Sequence, residues 1–292
     1  MTFEIRKVEK KRLKLKIGIQ GPSGSGKTYS ALKLANGIEK DWENIFFIDT
    51  ENESASYYES LGPFNHLPFE APYSPARYIE AIDACLGAGA KVIIIDSLSH
   101  EWEGKGGCLE MADEVTKKMR NPNSFTAWRD VTPLHNAFVD HMRTSPCHII
   151  CCTRTKQEYA METNSKGKIQ PKKVGLKGVQ RDGLDYEFGL VFELDMDHMA
   201  FSGKDRTGLF MDKPKHMINE DTGRDLLRWA NSGADPIIET YQATDAQKRQ
   251  FASLAKMHDV TAPETLKELS EMCIGKPITE IGSEIQMYIA NK

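Results

Sequence analysis

The chain has 292 residues, of which 40% are apolar and 27% are charged, and its formal net charge is -4. This is the composition of an ordinary globular protein, and it excludes a chain that is mainly disordered. No run of about 18 uncharged apolar residues occurs, which excludes a membrane-spanning helix, and the charged first residues lack the apolar core of a signal peptide. We therefore expect a cytoplasmic protein that has no membrane partner.

Up to about residue 231, short apolar runs alternate with helix-like stretches, which is typical of a mostly parallel sheet with crossover helices. Apolar runs predict strands at 13–20, 44–50, 91–97, 148–153, 188–194 and 206–211. A turn around Ser202-Gly203 is predicted to join the last two strands. Capping residues and prolines predict helices that begin near Lys27, at Ser74-Pro75, at Thr132-Pro133 and near Gly223.

Two segments fall outside this alternation. Residues 155–181 carry seven basic residues and almost no periodic apolar signal, which predicts a long functional loop. Beyond the breaker cluster at 232–236 the chain contains only short amphipathic, helix-like segments. We predict an α/β core with a basic N-terminal segment over 1–231, a linker over 232–239 and a small all-α domain over 240–292.

Six cysteines are present, and none forms a C-x-x-C pair. Cys147, Cys151 and Cys152 lie in an apolar run that predicts a buried strand. A metal site that combines them with His148 is disfavoured, because neighbouring strand residues point to opposite faces. We expect free, buried thiols.

The sequence GPSGSGKT at 21–28 matches the phosphate-loop pattern G-x-x-x-x-G-K-[ST] and lies between a predicted strand and a predicted helix. Its glycines allow backbone N–H groups to turn inward around a phosphate, and the helix directs its positive end to the same place. Lys27 is expected to contact the β- and γ-phosphates of ATP, and the Thr28 hydroxyl is expected to bind Mg²⁺. The predicted nucleotide-binding residues are Gly21, Pro22, Ser23, Gly24, Ser25, Gly26, Lys27, Thr28 and Tyr29.

Acidic residues follow two of the predicted buried strands. Asp96 ends the run VIIID at the sheet edge where ligands bind, and we expect it to hold Mg²⁺ together with Thr28. Glu51 follows the run FFIDT and is the leading candidate for the base that activates water. Glu101 and Glu103 are alternative candidates, and a solvated acid without a catalytic role is the other interpretation of all three.

Together these motifs resemble the RecA-core branch of the P-loop ATPases over roughly residues 13–231. GPSGSGKTYSALKLA, FFIDTE, IIIDSLSHEWEGKGG and KDRTGLF look more narrowly like the phage-encoded RecA-core ATPases associated with single-strand annealing. The resemblance implies a RecA-like P-loop NTPase core that hydrolyses ATP. It also implies that Gly21 to Thr28 bind the triphosphate, that Asp96 helps to hold Mg²⁺ and that Glu51 polarises the attacking water.

The resemblance further implies a site completed by a second subunit. Lys204 and Arg206 in KDRTG look like the lysine/arginine pair that RecA-core relatives insert into a neighbour's ATP site, where it neutralises charge on the γ-phosphoryl group. Two solvated charges at a hairpin turn are the alternative. Thr153 and Arg154 stand where RecA has a glutamine that senses the γ-phosphate, so the chain departs from the family pattern there.

Residues 155–181 lie where RecA relatives place a DNA-binding loop. Lysines there would bind backbone phosphates without reading sequence, and Tyr159 would stack on a base. The predicted DNA-binding residues are Lys156, Tyr159, Lys166, Lys168, Lys172 and Lys173. Trp102 lies near a second DNA loop of such folds and is equally compatible with a core position. A solvated lid is the alternative for the long segment.

We therefore expect an ATPase that acts on single-stranded DNA in recombination or annealing and assembles as a homo-oligomeric ring or filament. A single-strand-binding protein is a further candidate partner. Two alternatives stay open: a P-loop kinase with a lysine-rich lid over a small acceptor, and a nucleotide-gated scaffold whose helical tail recruits a partner.

Overall fold

The computed structural model describes residues 7–163 and 169–233, and it describes their side chains outside the segment 157–175. The chain divides into two compact units, Met1–Gly233 and Ala234–Lys292. The predicted helical domain over 240–292 and most of the predicted linker over 232–239 lie outside the described residues. Within the described part, no helix is long and apolar enough to cross a membrane.

A β-sheet forms the centre of the first unit. Its described strands are β1 (Lys16–Gly21), β2 (Ile45–Asp49), β3 (Asn65–Pro68), β4 (Val92–Asp96), β5 (His148–Thr163), β6 (Ile169–Gly178), β7 (Leu190–Leu194) and β8 (Ala200–Asp205). They follow the order β3-β2-β4-β5-β1-β7-β8, and β6 pairs with β5 beside this path. Neighbours along the path are parallel except β7 and β8, which are antiparallel. The strand that precedes the phosphate loop, β1, therefore lies inside the sheet.

Helices flank this sheet. The described α-helices are α1 (Lys27–Ile38), α2 (Pro75–Gly87), α3 (Ser99–Glu103), α4 (Cys108–Lys118), α5 (Ser124–Thr144) and α6 (Glu220–Asn231). Short 3₁₀ helices lie at 42–44, 54–61 and 184–187. The helix predicted near Gly223 is α6, which begins earlier because Asn219 and Thr222 form a reciprocal capping box.

The sheet is buried on both faces, as the continuous apolar runs predict. Ile94 of β4 packs in one core with residues of α1 and α6. Its neighbours Ile93 and Ile95 point the other way and pack with residues of α2 and α5. The predicted fold class, a mostly parallel sheet flanked by helices, is confirmed. The five cysteines within the described part are free and buried, as expected.

The segment predicted as a long loop is a β-hairpin, so that prediction is wrong. β5 leaves the sheet and pairs antiparallel with β6, from Thr155 opposite Gly178 to Thr163 opposite Ile169. A central strand of a parallel sheet needs apolar residues on both faces, whereas a two-stranded hairpin does not. The polar composition of this segment is therefore compatible with two paired strands, although it contains no apolar pattern that predicts them.

The helix predicted to begin at Thr132-Pro133 begins at Ser124 instead. The Asn123 side chain caps it by accepting a hydrogen bond of 3.0 Å from the N–H of Phe125. Pro133 lies inside the helix on an exposed position. Proline removes one backbone hydrogen bond, and on the exposed side water can bond the carbonyl that is released. The helix continues through the proline for that reason.

The last strand also lies earlier than predicted. β8 ends at Asp205, so Ser202-Gly203 lies inside a strand, and residues 206–211 form bends and a turn. The Asp205 carboxylate accepts hydrogen bonds from the backbone N–H groups of Thr207, Phe210 and Met211. These bonds curl the chain back on itself, as Asp side chains commonly do in turns. The strand predicted at 206–211 is therefore wrong.

Candidate nucleotide site

The phosphate loop connects β1 to α1 at the carboxyl edge of the sheet. Gly24 and Gly26 have φ angles of 82° and 86°, in the left-handed region that glycine adopts without steric cost. A Cβ atom on Gly21 would lie 2.5 Å from the Ser25 hydroxyl oxygen and 2.9 Å from the carbonyl oxygen of Leu194. The loop therefore has the tight shape that its composition predicts.

The side chains of the loop fit a bound phosphate. The Ser25 hydroxyl is fully buried and has no hydrogen-bond partner among the described residues, so a phosphate oxygen would satisfy it. The Lys27 ammonium donates a hydrogen bond of 2.9 Å to the carbonyl of Pro22, which places its charge over the loop. Tyr29 is 41% exposed, and the Lys33 ammonium lies 5.6 Å from its ring centroid. The loop can thus offer donors and positive charge to a triphosphate.

Thr28 and Asp96 meet beside this loop. The Thr28 hydroxyl donates a hydrogen bond of 2.5 Å to Oδ2 of Asp96, the last residue of β4. Asp96 is 1% exposed, and burial raises the pKa of its carboxyl to about 6, although the Thr28 hydrogen bond acts in the opposite direction. Oxygen atoms of this kind are the ligands that Mg²⁺ prefers. These two residues would hold the ion that accompanies a nucleotide.

Asp96→Asn is expected to raise the melting temperature of the nucleotide-free protein at pH 7.5. The folded-state pKa lies above the ordinary value of 3.8, so the folded state binds more protons between about pH 4 and pH 6. Stability is consequently lost as the pH rises through that range, and the cost of about 1–3 kcal/mol is fully present at pH 7.5. Thermal unfolding in EDTA at pH 4 and pH 7.5 measures the effect, which should shrink at pH 4. The exposed Asp113→Asn is the matched control, and a lower melting temperature of Asp96→Asn at pH 7.5 would contradict the prediction.

Glu51 follows β2 in a turn that Asp49 fixes. The buried Asp49 carboxylate accepts hydrogen bonds from the N–H of Glu51 at 2.8 Å and from the N–H of Ala55 at 2.9 Å. The N–H of Thr50 donates to the carbonyl of Asp96 at 2.8 Å, so the ends of β2 and β4 lie side by side. Glu51 therefore projects at the same sheet edge as Asp96, as its sequence position predicts.

The Glu51 carboxylate forms an ion pair with Arg154. Oε1 of Glu51 lies 2.8 Å from Nη2 and 3.0 Å from Nε of the guanidinium. Arg154 lies opposite Gly21 in the sheet and directly precedes Thr155, the first residue of the hairpin. No local pattern connects two residues 103 positions apart, so the sequence alone does not predict this contact.

The two alternative bases occupy different surroundings. Glu101 is fully buried, and its oxygens accept hydrogen bonds from His135, Cys108 and Gln180. Glu103 is exposed at the end of α3. Glu101 is thus enclosed by protein, whereas Glu51 is partly exposed at the edge that carries the phosphate loop.

Lys204 and Arg206 lie at the opposite end of the sheet from the phosphate loop of their own chain. The end of β8 pairs with the start of β7, and the start of β7 pairs with the start of β1. The phosphate loop begins at the other end of β1, about 13 Å from that start. Lys204 donates to the carbonyl of Asp185 at 2.8 Å, and Arg206 donates to the carbonyl of Tyr186 at 3.2 Å. The expectation that they lie at the hairpin turn is wrong, because the turn between β7 and β8 lies at 195–199.

The predicted DNA-binding residues are only partly described. Lys156 is exposed on β5. Tyr159, Lys172 and Lys173 belong to the paired backbone of the hairpin, and Lys166 and Lys168 lie outside the described residues. Their role in binding DNA therefore remains a prediction.

A groove of about 460 Å³ opens at the foot of the hairpin. Its lining includes Trp102, Trp128, Lys156, Lys177 and Arg181. The rings of Trp102 and Trp128 stack with centroids 5.2 Å apart. Aromatic and basic side chains thus line one surface next to β5 and β6.

Comparison with known proteins identifies the family of this chain. Residues 13–220 match a family model described as an AAA domain. No curated protein matches the chain. Among solved structures, a KaiC-like protein from the hyperthermophilic archaeon Pyrococcus horikoshii OT3 is similar at 14% sequence identity and a TM-score of 0.34, over 70% of this chain and 82% of that one. Because the family model covers more than two thirds of the 292 residues, the chain belongs to the AAA domain family of P-loop nucleotide-binding proteins.

Proposed function

We propose that the protein hydrolyses ATP and acts on single-stranded DNA in phage recombination or annealing, with each ATP site completed by a neighbouring subunit. The observation that carries the proposal is the ion pair between Glu51 and Arg154. It joins the candidate base to the residue at which β5 becomes the hairpin. Arg154 therefore links the candidate nucleotide site to the segment that directly follows it, the predicted DNA-binding segment.

The residues at the sheet edge support hydrolysis rather than binding alone. Lys27 and the loop N–H groups would hold the phosphates, and Thr28 and Asp96 would hold Mg²⁺, which supplies charge stabilisation at the phosphoryl group. Glu51 can accept the proton of an attacking water once its carboxylate is no longer held by Arg154. While Oε1 of Glu51 is bonded to the guanidinium, it is not free to accept a proton from water, so the ion pair favours a low rate in the resting state.

The position of Arg154 supports control by DNA. Its side chain binds Glu51, and its backbone N–H donates to the Ser99 hydroxyl oxygen at 3.0 Å, next to the strand that ends in Asp96. A ligand that shifts the hairpin would shift Arg154 relative to both. We infer that DNA binding releases Glu51 and raises the rate of hydrolysis.

The chemistry of the hairpin and its groove supports a single-stranded nucleic acid as that ligand. Lysines along both strands supply charge for backbone phosphates, and the stacked indoles of Trp102 and Trp128 offer a surface for a base.

The location of Lys204 and Arg206, far from their own phosphate loop, supports a role toward a second subunit. The motifs SHEWEGKGG and KDRTGLF support the phage annealing context by resemblance.

Phosphate release measured with and without a single-stranded oligonucleotide tests the proposal, with the same sequence as a duplex for the control. We expect release from ATP that rises when the single strand is added. Transfer to a small acceptor without net phosphate release would indicate a P-loop kinase. Nucleotide binding without release under any of these conditions would indicate a nucleotide-gated scaffold.

The affinity for single-stranded DNA is expected to fall steeply with salt. With about four phosphates neutralised, log K should fall against log salt with a slope near -3, taking roughly 0.7 per contact. Changing Lys166, Lys168, Lys172 and Lys173 to Ala should flatten the slope and lower the affinity. The matched control changes the exposed Lys40, Lys117, Lys118 and Lys213, which should leave the slope unaltered. An unaltered slope in the hairpin variant would remove these lysines from the binding site.

A further inference from the structure

A polar cluster lies inside the lobe that α3, α4 and α5 form. Its members are Glu101, Cys108 and His135, one from each helix, and they are 0%, 0% and 3% exposed. The apolar core of this lobe is small, with Cys108, Ala112 and Val131 as its buried members. Polar groups are costly to bury without partners, so these three side chains must find partners inside the lobe.

The three side chains converge on one point. Oε1 of Glu101 lies 2.9 Å from Nδ1 of His135 and 3.0 Å from Sγ of Cys108. These three atoms lie within 4.8 Å of one another, and no other group of this kind occurs in the described part of the chain. The second oxygen of Glu101 accepts a hydrogen bond of 3.0 Å from Nε2 of Gln180. An outer hydrogen bond that orients a carboxylate in this way is typical of metal sites.

The negative charge of the buried Glu101 carboxylate has little compensation from its bonding partners. The groups that donate to Glu101 in the described structure are a thiol, an imidazole and an amide, and none of them carries a permanent positive charge. A cation at the common point would offset the charge of the carboxylate and of a thiolate.

We propose that Glu101, Cys108 and His135 bind a zinc ion. Sulfur, nitrogen and oxygen from Cys, His and Glu are the ligands that Zn²⁺ accepts in proteins. One thiolate and one carboxylate balance its two positive charges, and the imidazole binds in its neutral form. On binding, the thiol proton passes to solvent, and the hydrogen bonds from His135 and Cys108 to Glu101 give way to three bonds to the metal. The proposal does not rest on ATP hydrolysis or on DNA binding.

The geometry requires a small adjustment. Zinc–ligand bonds of about 2.0–2.3 Å in a tetrahedral arrangement place neighbouring ligand atoms about 3.3–3.7 Å apart. The present separations of 2.9 and 3.0 Å to Glu101 would therefore widen by about half an ångström. The ligand atoms of Cys108 and His135, which lie within 4.8 Å of one another, would move to a similar spacing. Gln180, which bonds Glu101, also lines the groove that contains Trp102, so an ion and the water for its fourth position would enter past Gln180.

Cobalt and zinc binding by the full chain test the site. After removal of metal with EDTA, one equivalent of Co²⁺ should produce the thiolate-to-cobalt absorption band of a tetrahedral site, and one equivalent of Zn²⁺ should abolish it. Cys108→Ser should lose the band and bind zinc more than about 100-fold more weakly, beyond the loss caused by removing an outer partner alone. Cys147→Ser, which changes another buried thiol, should keep both. Zinc should raise the melting temperature of the parent chain and not that of Cys108→Ser.

The parent chain alone can overturn the proposal, so the result does not depend on the folding of a variant. Absence of a thiolate band after addition of one equivalent of Co²⁺ to the metal-free parent would show that the cluster is a hydrogen-bonded network only. An identical band in parent and Cys108→Ser would place the metal on other cysteines and would also overturn it. Neither result would bear on phosphate release, which is measured separately.

Discussion

Arg206→Ala is expected to lower the rate of ATP hydrolysis by about 10³–10⁵-fold, the range that arginine fingers contribute. The guanidinium would neutralise charge that develops on the γ-phosphoryl group of a neighbouring subunit. Arg206 follows the end of β8, which is level with the start of β1, and the phosphate loop begins about 13 Å away at the other end of β1. The variant should therefore still bind ATP with the parent affinity. Steady-state phosphate release and nucleotide binding measure the two effects. Arg228→Ala, which changes an arginine that is 79% exposed on α6, is the matched control.

Mixing two inactive variants decides whether the finger acts between subunits. In the proposed assembly, Lys27→Ala damages the phosphate loop of its own chain, whereas Arg206→Ala damages the site of its neighbour. In a mixed assembly some interfaces join an intact loop to an intact finger, so part of the activity should return. Mixed proteins that assemble together and stay inactive would exclude Arg206 as a finger in trans and favour a site completed within one chain.

Glu51→Gln is expected to slow hydrolysis by about 10²–10⁴-fold and to leave ATP binding intact. Glutamine keeps the size and the hydrogen-bonding oxygen of the side chain but cannot accept the proton of the attacking water. Phosphate release in single turnovers, together with nucleotide binding at equilibrium, measures both parts. The exposed Glu103→Gln serves as the control and should hydrolyse ATP at the parent rate.

The opposite pair of hydrolysis rates would assign the role of base to another residue. Hydrolysis at the parent rate by Glu51→Gln, with a large loss in Glu103→Gln, would assign the proton transfer to Glu103. A comparable loss in Glu101→Gln would have a different meaning, because Glu101 is enclosed by His135, Cys108 and Gln180 and its loss disturbs the packing of α3, α4 and α5.

The parts that the sequence predicts well are those in which local pattern and tertiary position coincide. Residues 21–28 form the predicted loop, because Gly24 and Gly26 can adopt the positive φ angles that this tight turn between a strand and a helix requires. The run VIIID becomes β4 because a strand of a parallel sheet must be apolar on both faces. Asp96 then reaches Thr28 through the parallel order of strands alone.

The parts that the sequence misses depend on contacts between distant positions. Nothing in the local sequence shows that Arg154 meets Glu51 or that His135 meets Glu101, since each contact is created by the packing of the whole sheet and its helices. The hairpin is not predicted because the outer part of β5 pairs only with β6, and two such strands leave no apolar pattern. Asp205 redirected the chain after β8 through side-chain hydrogen bonds that hydrophobic periodicity does not detect.

The length of β5 has a mechanical consequence. The strand has 16 residues and so extends roughly 50 Å, with its first part clamped between β1 and β4 and the rest paired to β6. A flexible tether of the same length would absorb a pull by changing its own shape. We expect a paired strand to transmit a displacement more directly, so that a movement of the hairpin reaches Arg154 and, through its ion pair, the carboxylate of Glu51.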